Sequence, residues 1–396
     1  MGSIKLNGAT SGHVEISAPA VAGTQSIEFP TDIVLQENAT ATTVATVGDL
    51  SSLPANIKLA YVTGIETLFI YKDSDWVPVI PSPGRNLLHN SAFNVWQRGT
   101  SFTSINADNT YTADRWYVAR GGLLDVSKGT TGPPVGFVNY MAMINKTTSN
   151  AFIVMYQAVE TVNVLPYVGK TVTLSFWARA AANTTASKNM TVQMLYSTSV
   201  DTKPGSLIGS ATTLPALTYG TTASDWVQYS VSATIPSDAK TIGVGIVSAP
   251  VGGLAINDGF HITGVQLEQG SVATPYEHKD YGQELAECQR YFQRFGYVAN
   301  ERVATGVAIS STYSYLVFSH RTMRTTPSAY TLIGTMQVTI PEVVGVNVTS
   351  VTGSVLGPDA SELLLGYSTN AAFVLGRAVL CNPADTSSYV GISADL

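Results

Sequence analysis

The sequence predicts an all-β protein of several antiparallel domains with one short connecting helix. Three observations predict it. Apolar and polar residues alternate over short runs, as in "VTLSFWA" and "VQYSVSATI". Polar loops rich in Gly, Asn, Ser and Thr separate those runs. Only the segment 279–296 carries apolar residues at helical spacing.

Composition narrows the function classes. The 396 residues are enough for roughly two to four domains. The charged share, 12%, is about half the usual one, so Ser, Thr, Asn and Gly carry the surface. A net charge of -6 provides no basic footprint for nucleic acid. With 2 cysteines there is neither a disulfide framework nor a Cys/His zinc site, and Cys288 and Cys381 are expected as buried free thiols. No apolar run approaches the roughly 18 residues of a membrane span, so membrane insertion is not expected. The opening "MGSIKLNGATSG" lacks the apolar stretch of a secretory signal, which implies folding in the cytoplasm where the chain is made.

The elements follow in order. Residues 1–30 read as short strands, "SIKLNG", "HVEISAP" and "QSIEFP", with Gly8, Gly12 and Gly23 at the turns. So short a piece cannot bury a core alone and needs a partner. Residues 31–83 form a small connector, with "LAYVTGIETLFIYKDSDWVPV" as a β-meander and "PSPG" as the linker. Residues 84–277 supply strands of the kind "NYMAMINK", "TVTLSFWARA" and "FHITGVQLEQ", spaced as in a β-sandwich. Residues 278–296 form the helix, and residues 297–396 return to strands, enough for a C-terminal β-sandwich tip.

Within the helix, Tyr281, Leu285, Cys288, Phe292 and Phe295 are spaced 4, 3, 4, 3. This is one apolar stripe and also a short heptad seam, so these five are expected to meet their copies in a homotrimer.

The search for chemistry returns little. No GxSxG, HExxH, P-loop or dinucleotide fingerprint is present, and the five histidines, His261 among them, read as surface or structural. The pairs Asp108 with Asp114 and Glu284 with Glu287 have the residue type of glycosidase carboxylates, yet they read as a solvated turn and a solvated helix face. Arg115 is expected to brace Asp114. Trp116, Trp177 and Trp226 read as core. The chain is therefore expected not to be an enzyme.

The stretch "NLLHNSAFNVWQRGTSF…YTADRWYV" and the later "GVQLEQGSVATPYEHKDYGQELAECQRYFQRFG" resemble recurrent parts of bacteriophage tail fibre and receptor-binding proteins. "NLLHNSAF" with Trp96, and "NDGFHITGVQLEQG", also resemble the first and last segments of carbohydrate-binding-module jelly rolls. The resemblance implies a jelly roll over 84–277, trimeric assembly, attachment to other tail or baseplate proteins through the N-terminus, and adsorption to a bacterial surface polysaccharide. It also implies a structural calcium, with Asp258 as the matching carboxylate and Asn257 where an acid is common. The tip, with Tyr313, Tyr315 and Tyr389 among hydroxyl- and amide-rich loops, is the expected glycan-binding end, and the jelly roll is the alternative. A polysaccharide depolymerase and a purely structural baseplate or collar component are the competing functions.

Overall fold

The computed structural model describes residues 3–7, 13–17, 41–53, 59–62, 67–72, 75–78, 84–147, 152–182, 184, 189–214, 226–248, 254–340, 343–355 and 357–396. The chain divides into two compact units, residues 1–85 with 269–274, and residues 86–268 with 275–396.

In the first unit, Ser3–Asn7 and His13–Ser17 pair antiparallel, as their alternation predicts. The expected third segment, "QSIEFP", lies outside the described residues. The meander is present as Leu59–Val62, Thr67–Lys72 and Asp75–Pro78, with Ala41–Val44 added in parallel to Leu59–Val62. Its small core is Leu50, Ala60, Val62 and Phe69. Thr46 opens the 3-10 turn Val47–Ser52, its backbone N–H donating to Asp49 Oδ2 at 2.8 Å, which satisfies an end group that the turn itself leaves unpaired.

The second unit contains the expected sandwich. One sheet runs, edge to edge, Val227–Thr234, Thr171–Ala180, Gly259–Gln269, Tyr140–Asn145, Leu124–Gly129 and Ser101–Ile105. The facing sheet runs Ser206–Leu207, Thr191–Ser197, Thr241–Ser248, Ile153–Val159, Tyr117–Arg120 and Thr110–Tyr111, with Thr212–Thr213 also pairing to Thr191–Ser197. The period of two decides the faces. Val172, Leu174, Phe176, Ala178 and Ala180 point into the core, which leaves Thr173, Ser175, Trp177 and Arg179 on the outer face. Trp116 is in this core, as expected, against Phe93 at 5.5 Å between ring centroids.

The last block closes into a barrel rather than a sandwich. Its strands follow the circuit Ala304–Ala308, Tyr313–Ser319, Ala360–Tyr367, Val343–Val355, Met336–Ile340 and Ala378–Pro383. A three-stranded sheet, Phe292–Phe295, Tyr389–Ser393 and Ala329–Ile333, accompanies it. Closure removes the exposed edges that an open sheet of this size would present.

The helix is shorter than the sequence stripe suggests. It spans Tyr281–Gln289, starting where Asp280 Oδ1 accepts the Gly282 N–H at 2.8 Å. Phe292 and Phe295 lie on the strand Phe292–Phe295, which pairs with Tyr389–Ser393. The five seam residues therefore do not share one helical face. Cys288 and Phe292 are buried within the chain, Phe295 packs edge-on against Phe318 in the barrel core at 5.2 Å, Leu285 is half-buried, and Tyr281 is 56% exposed. The spacing 4, 3, 4, 3 fits a helix, but its last two positions are aromatic β-formers, and pairing with a strand about 100 residues later captures them.

Candidate functional site: a cleft on the outer face of the sandwich

The outer face of the six-stranded sheet can be laid out from its register. One row runs His261, Ala142, Ser127, Ser101 across four strands. A second runs Gly259, Ile144, Asp125. A third places Tyr140 opposite Gly129. Small side chains hold the middle of this face, and a cleft of about 350 Å³ lies over it, lined by residues that include Ser101, Thr103, Asp125, Ser127, Lys146, Ala181, Ala182, Asn257 and His261.

An aromatic cluster stands at one side of the cleft. Tyr140 lies flat across Gly129, where an added Cβ would fall 2.0 Å from the ring. His261 stacks on Tyr140 at 4.7 Å and 26°, and Trp226 meets Tyr140 edge-on at 5.5 Å. Arg179 binds the cluster together. Its guanidinium carbon is 4.7 Å from the Trp226 ring centroid and 5.1 Å from that of Tyr140. Its Nη1 donates to Gly132 O and its Nη2 to Thr131 O, each at 3.1 Å, and Trp226 Nε1 donates to Gly132 O at 2.8 Å. Trp177 packs against the same cluster. Trp177 and Trp226 thus belong to the outer face and not to the inter-sheet core. Alternation had correctly separated two faces, but hydrophobicity alone assigned these tryptophans to the wrong one.

Among the cleft's polar lining, Asp125 Oδ1 accepts the Ser104 N–H at 2.7 Å and Asp125 Oδ2 lies 3.9 Å from Lys146 Nζ. Lys146 Nζ also donates to Asn257 Oδ1 at 3.1 Å. Lys146 and Asp125 are thus engaged locally, which leaves Ser and Thr hydroxyls and an imidazole among the apolar Phe102, Val126, Ile144, Ala181 and Ala182, a mixed lining suited to uncharged hydroxylated ligands.

The tyrosines and carboxylate pairs singled out from sequence lie elsewhere. Tyr313, 44% exposed, and the half-buried Tyr315 face outward from the barrel. Tyr389 is buried, its hydroxyl donating to Arg98 O at 3.1 Å and its ring centroid 4.6 Å from the Arg294 guanidinium carbon, so it is not a surface contact. Asp114 is buried rather than solvated. Gln97 donates to both its oxygens, the Nε2 contact being the shorter, and Arg98 rather than Arg115 is the cation beside it, at 4.0 Å. Glu284 is also buried, with its carboxyl raised by desolvation, while Glu287 pairs with Lys279 at 3.0 Å. Cys288 and Cys381 are buried free thiols; burial pushes Cys288 well up and Cys381 up to about 12.

Asp258, the residue matched to a structural calcium, is engaged by the protein's own backbone. It is fully buried, and its Oδ2 accepts the Ala255 N–H at 2.7 Å. The nearby carbonyls of Thr147, Leu254 and Ala255 converge on Asn145 Nδ2 at 2.5, 3.1 and 2.8 Å. An amide donor sits where those oxygens would otherwise be offered to a cation, and a hard cation asks for six to eight oxygens. No group of three or more His, Cys, Asp or Glu is placed to hold a metal among the described residues.

Sequence reasoning missed His261, Arg179 and the cleft. The available signal was "FHITG", where His261 alternates with the core residues Phe260 and Ile262 and so must face outward.

No protein-family model and no curated protein matches the sequence. Among solved structures, the enzymatically active domain of tailspike protein 4 of bacteriophage CBA120 is similar with a TM-score of 0.32 at 16% identity, over 49% of this chain and 22% of that one. A family 4 carbohydrate-binding module is similar with a TM-score of 0.28 at 18% identity, over 46% of this chain and 97% of its own. The C-terminal family 22 carbohydrate-binding module of Clostridium thermocellum Xyn10B gives 0.29 at 17%, over 46% of this chain and 100% of its own. The matched part, about half of this chain, spans about a fifth of the tailspike domain and nearly the whole of each module.

Proposed function

We propose that the chain is a tail-fibre or receptor-binding component of a phage virion, assembled in the host cytoplasm, that adsorbs to a bacterial surface glycan through the cleft of its sandwich. The observation that supports glycan binding is the cleft itself. Small residues lie at its centre, an aromatic cluster adjoins it through His261, and Ser, Thr and His groups line it with hydrogen-bonding capacity at little charge-desolvation cost. The phage assignment is supported by the sequence resemblance of the first and last segments of the sandwich. The role proposed is binding without catalysis; glycoside hydrolysis calls for two carboxylates flanking the bond, and among the described residues the cleft lining holds Asp125 alone of that type.

A homotrimer attached to the virion through residues 1–30 completes the proposal. Light scattering is expected to give three times the 41.8 kDa chain mass, and a monomer mass at micromolar concentration would remove the trimer.

The binding reading is tested with Ser127→Trp, which fills the cleft from an outward position without entering the core. The full-length variant is expected to keep its melting temperature and lose adsorption to host cells, while Tyr313→Ala with Tyr315→Ala adsorbs normally. The reverse pattern would transfer the receptor site to the barrel. Release of reducing ends from host polysaccharide would replace adsorption with hydrolysis as the function.

A further inference from the structure

His261 occupies the cleft's aromatic side, and its contacts determine where its proton sits. Arg179 Nε lies 3.1 Å from His261 Nδ1. A guanidinium has donors only and stays protonated, so Nδ1 must offer its lone pair. The proton of the neutral ring is then on Nε2. Arg179 is itself held by the Thr131 and Gly132 carbonyls, so it does not swing away from the ring without losing both bonds. Stacking on Tyr140 fixes the plane of the imidazole. The Nε2 proton has no hydrogen-bond partner among the described residues, and the ring lines the cleft.

The charged and titratable groups around this ring are Arg179 and Tyr140 on the neighbouring strands, with Asp125 and Lys146 elsewhere in the cleft lining. Burial, then the Arg179 charge, push the His261 pKa down to about 3. The ring therefore remains a neutral donor throughout the physiological range. Lys146 is turned to Asn257 and Asp125, and Arg179 to two carbonyls and the imidazole, so neither cation is set out to receive an acid.

Resting on the glycan reading above, we propose that His261 is the orienting contact of the cleft: Arg179 locks it as the Nε2–H tautomer, and it donates to an acceptor oxygen of an uncharged glycan. The specificity that follows is for neutral saccharides over uronic-acid or sulfated ones, with affinity that does not change between pH 5 and 8.

Two measurements on the full chain test this. Nitrogen-15 NMR of the imidazoles should show His261 as the Nε2–H tautomer with no titration from pH 5 to 8. Arg179→Met removes the donor to Nδ1 and should let the Nδ1–H and Nε2–H tautomers mix, while burial still holds the pKa below the ordinary value of about 6.5. In parallel, binding is measured to an array of neutral and uronic-acid-containing oligosaccharides. Wild type should bind neutral members, His261→Phe should lose about tenfold, equivalent to about 1.4 kcal/mol, and His261→Gln should recover part through an amide N–H near the Nε2 position. An Nδ1–H tautomer, titration between pH 5 and 8, wild-type affinity in His261→Phe, or preference for the acidic members would each overturn the proposal. If wild type binds nothing on the array while the NMR shows the locked tautomer, the glycan reading fails and takes the contact with it. If wild type binds and His261→Phe binds equally, the glycan reading stands and the contact alone fails.

Discussion

The guanidinium carbon of Arg115 lies 3.3 Å from the centroid of the Tyr291 ring, with both side chains buried. Arg115 also donates from Nη2 to Ala158 O at 2.6 Å, and Tyr291 packs with Ala158 and Leu396. A cation on the sandwich is thereby covered by a ring that follows the helix, and the C-terminal residue closes the same cluster. Tyr291→Ala would open a cavity and leave the buried guanidinium without its π face. The expected loss is about 3–5 kcal/mol, read as a lower denaturant midpoint, since aromatic truncation and a desolvated cation–π contact both contribute. Tyr291→Phe keeps the ring face and should lose far less. Equal losses would show that the ring face is not what stabilises Arg115.

The pH dependence of Glu284 has a definite sign. Burial raises its folded-state pKa above the ordinary carboxylate value, with Lys279 opposing. The folded state then binds the proton more tightly than the unfolded state, so this group costs stability at neutral pH. That cost is relieved as pH falls through the raised folded value toward about 4.5. Glu284→Gln should therefore melt higher than wild type at pH 7, and the difference should shrink as pH falls to about 4. A difference that grows on acidification would reverse the assignment.

Gly264 adopts φ +63° within the strand Gly259–Gln269, and a Cβ there would meet the Phe137 ring at 2.5 Å. Phe137 in turn packs on Tyr276 at 4.9 Å. Gly264→Ala should cost about 2–4 kcal/mol, combining the left-handed penalty with displacement of the ring. Thermal unfolding measures it, and a change within about 0.5 kcal/mol would show that the strand can straighten without loss.

Asp258 and Asn145 give a paired expectation. Because Asn145 Nδ2 already shares its two N–H donors among the three carbonyls that a cation would need, EDTA should leave the melting temperature unchanged. Asn145→Ala should cost about 1–3 kcal/mol through carbonyls left without a donor, and Asp258→Ala a similar amount through the Ala255 N–H. An EDTA-sensitive wild type whose sensitivity is lost in Asp258→Ala would restore the calcium site.

The sequence by itself determined the antiparallel β class, the strand positions of the sandwich and the burial of both thiols. These are legible because alternation and β-branched or aromatic content act within a strand, over distances the sequence displays directly. It also showed that "VTLSFWARA" has two faces. Tertiary structure decided which face was closed by the other sheet and which became the aromatic side of a cleft, because Trp177, Trp226, Tyr140 and His261 meet only across strands up to about 120 residues apart. It decided that Phe292 and Phe295 leave the helix, since the competing partner is the strand Tyr389–Ser393, which no local period can announce. And it decided the chemistry of His261. An isolated histidine is a switch near neutral pH; here burial keeps the ring neutral, and the half-buried Arg179 guanidinium, placed by a neighbouring strand and bonded to Nδ1, leaves the proton a single place to sit.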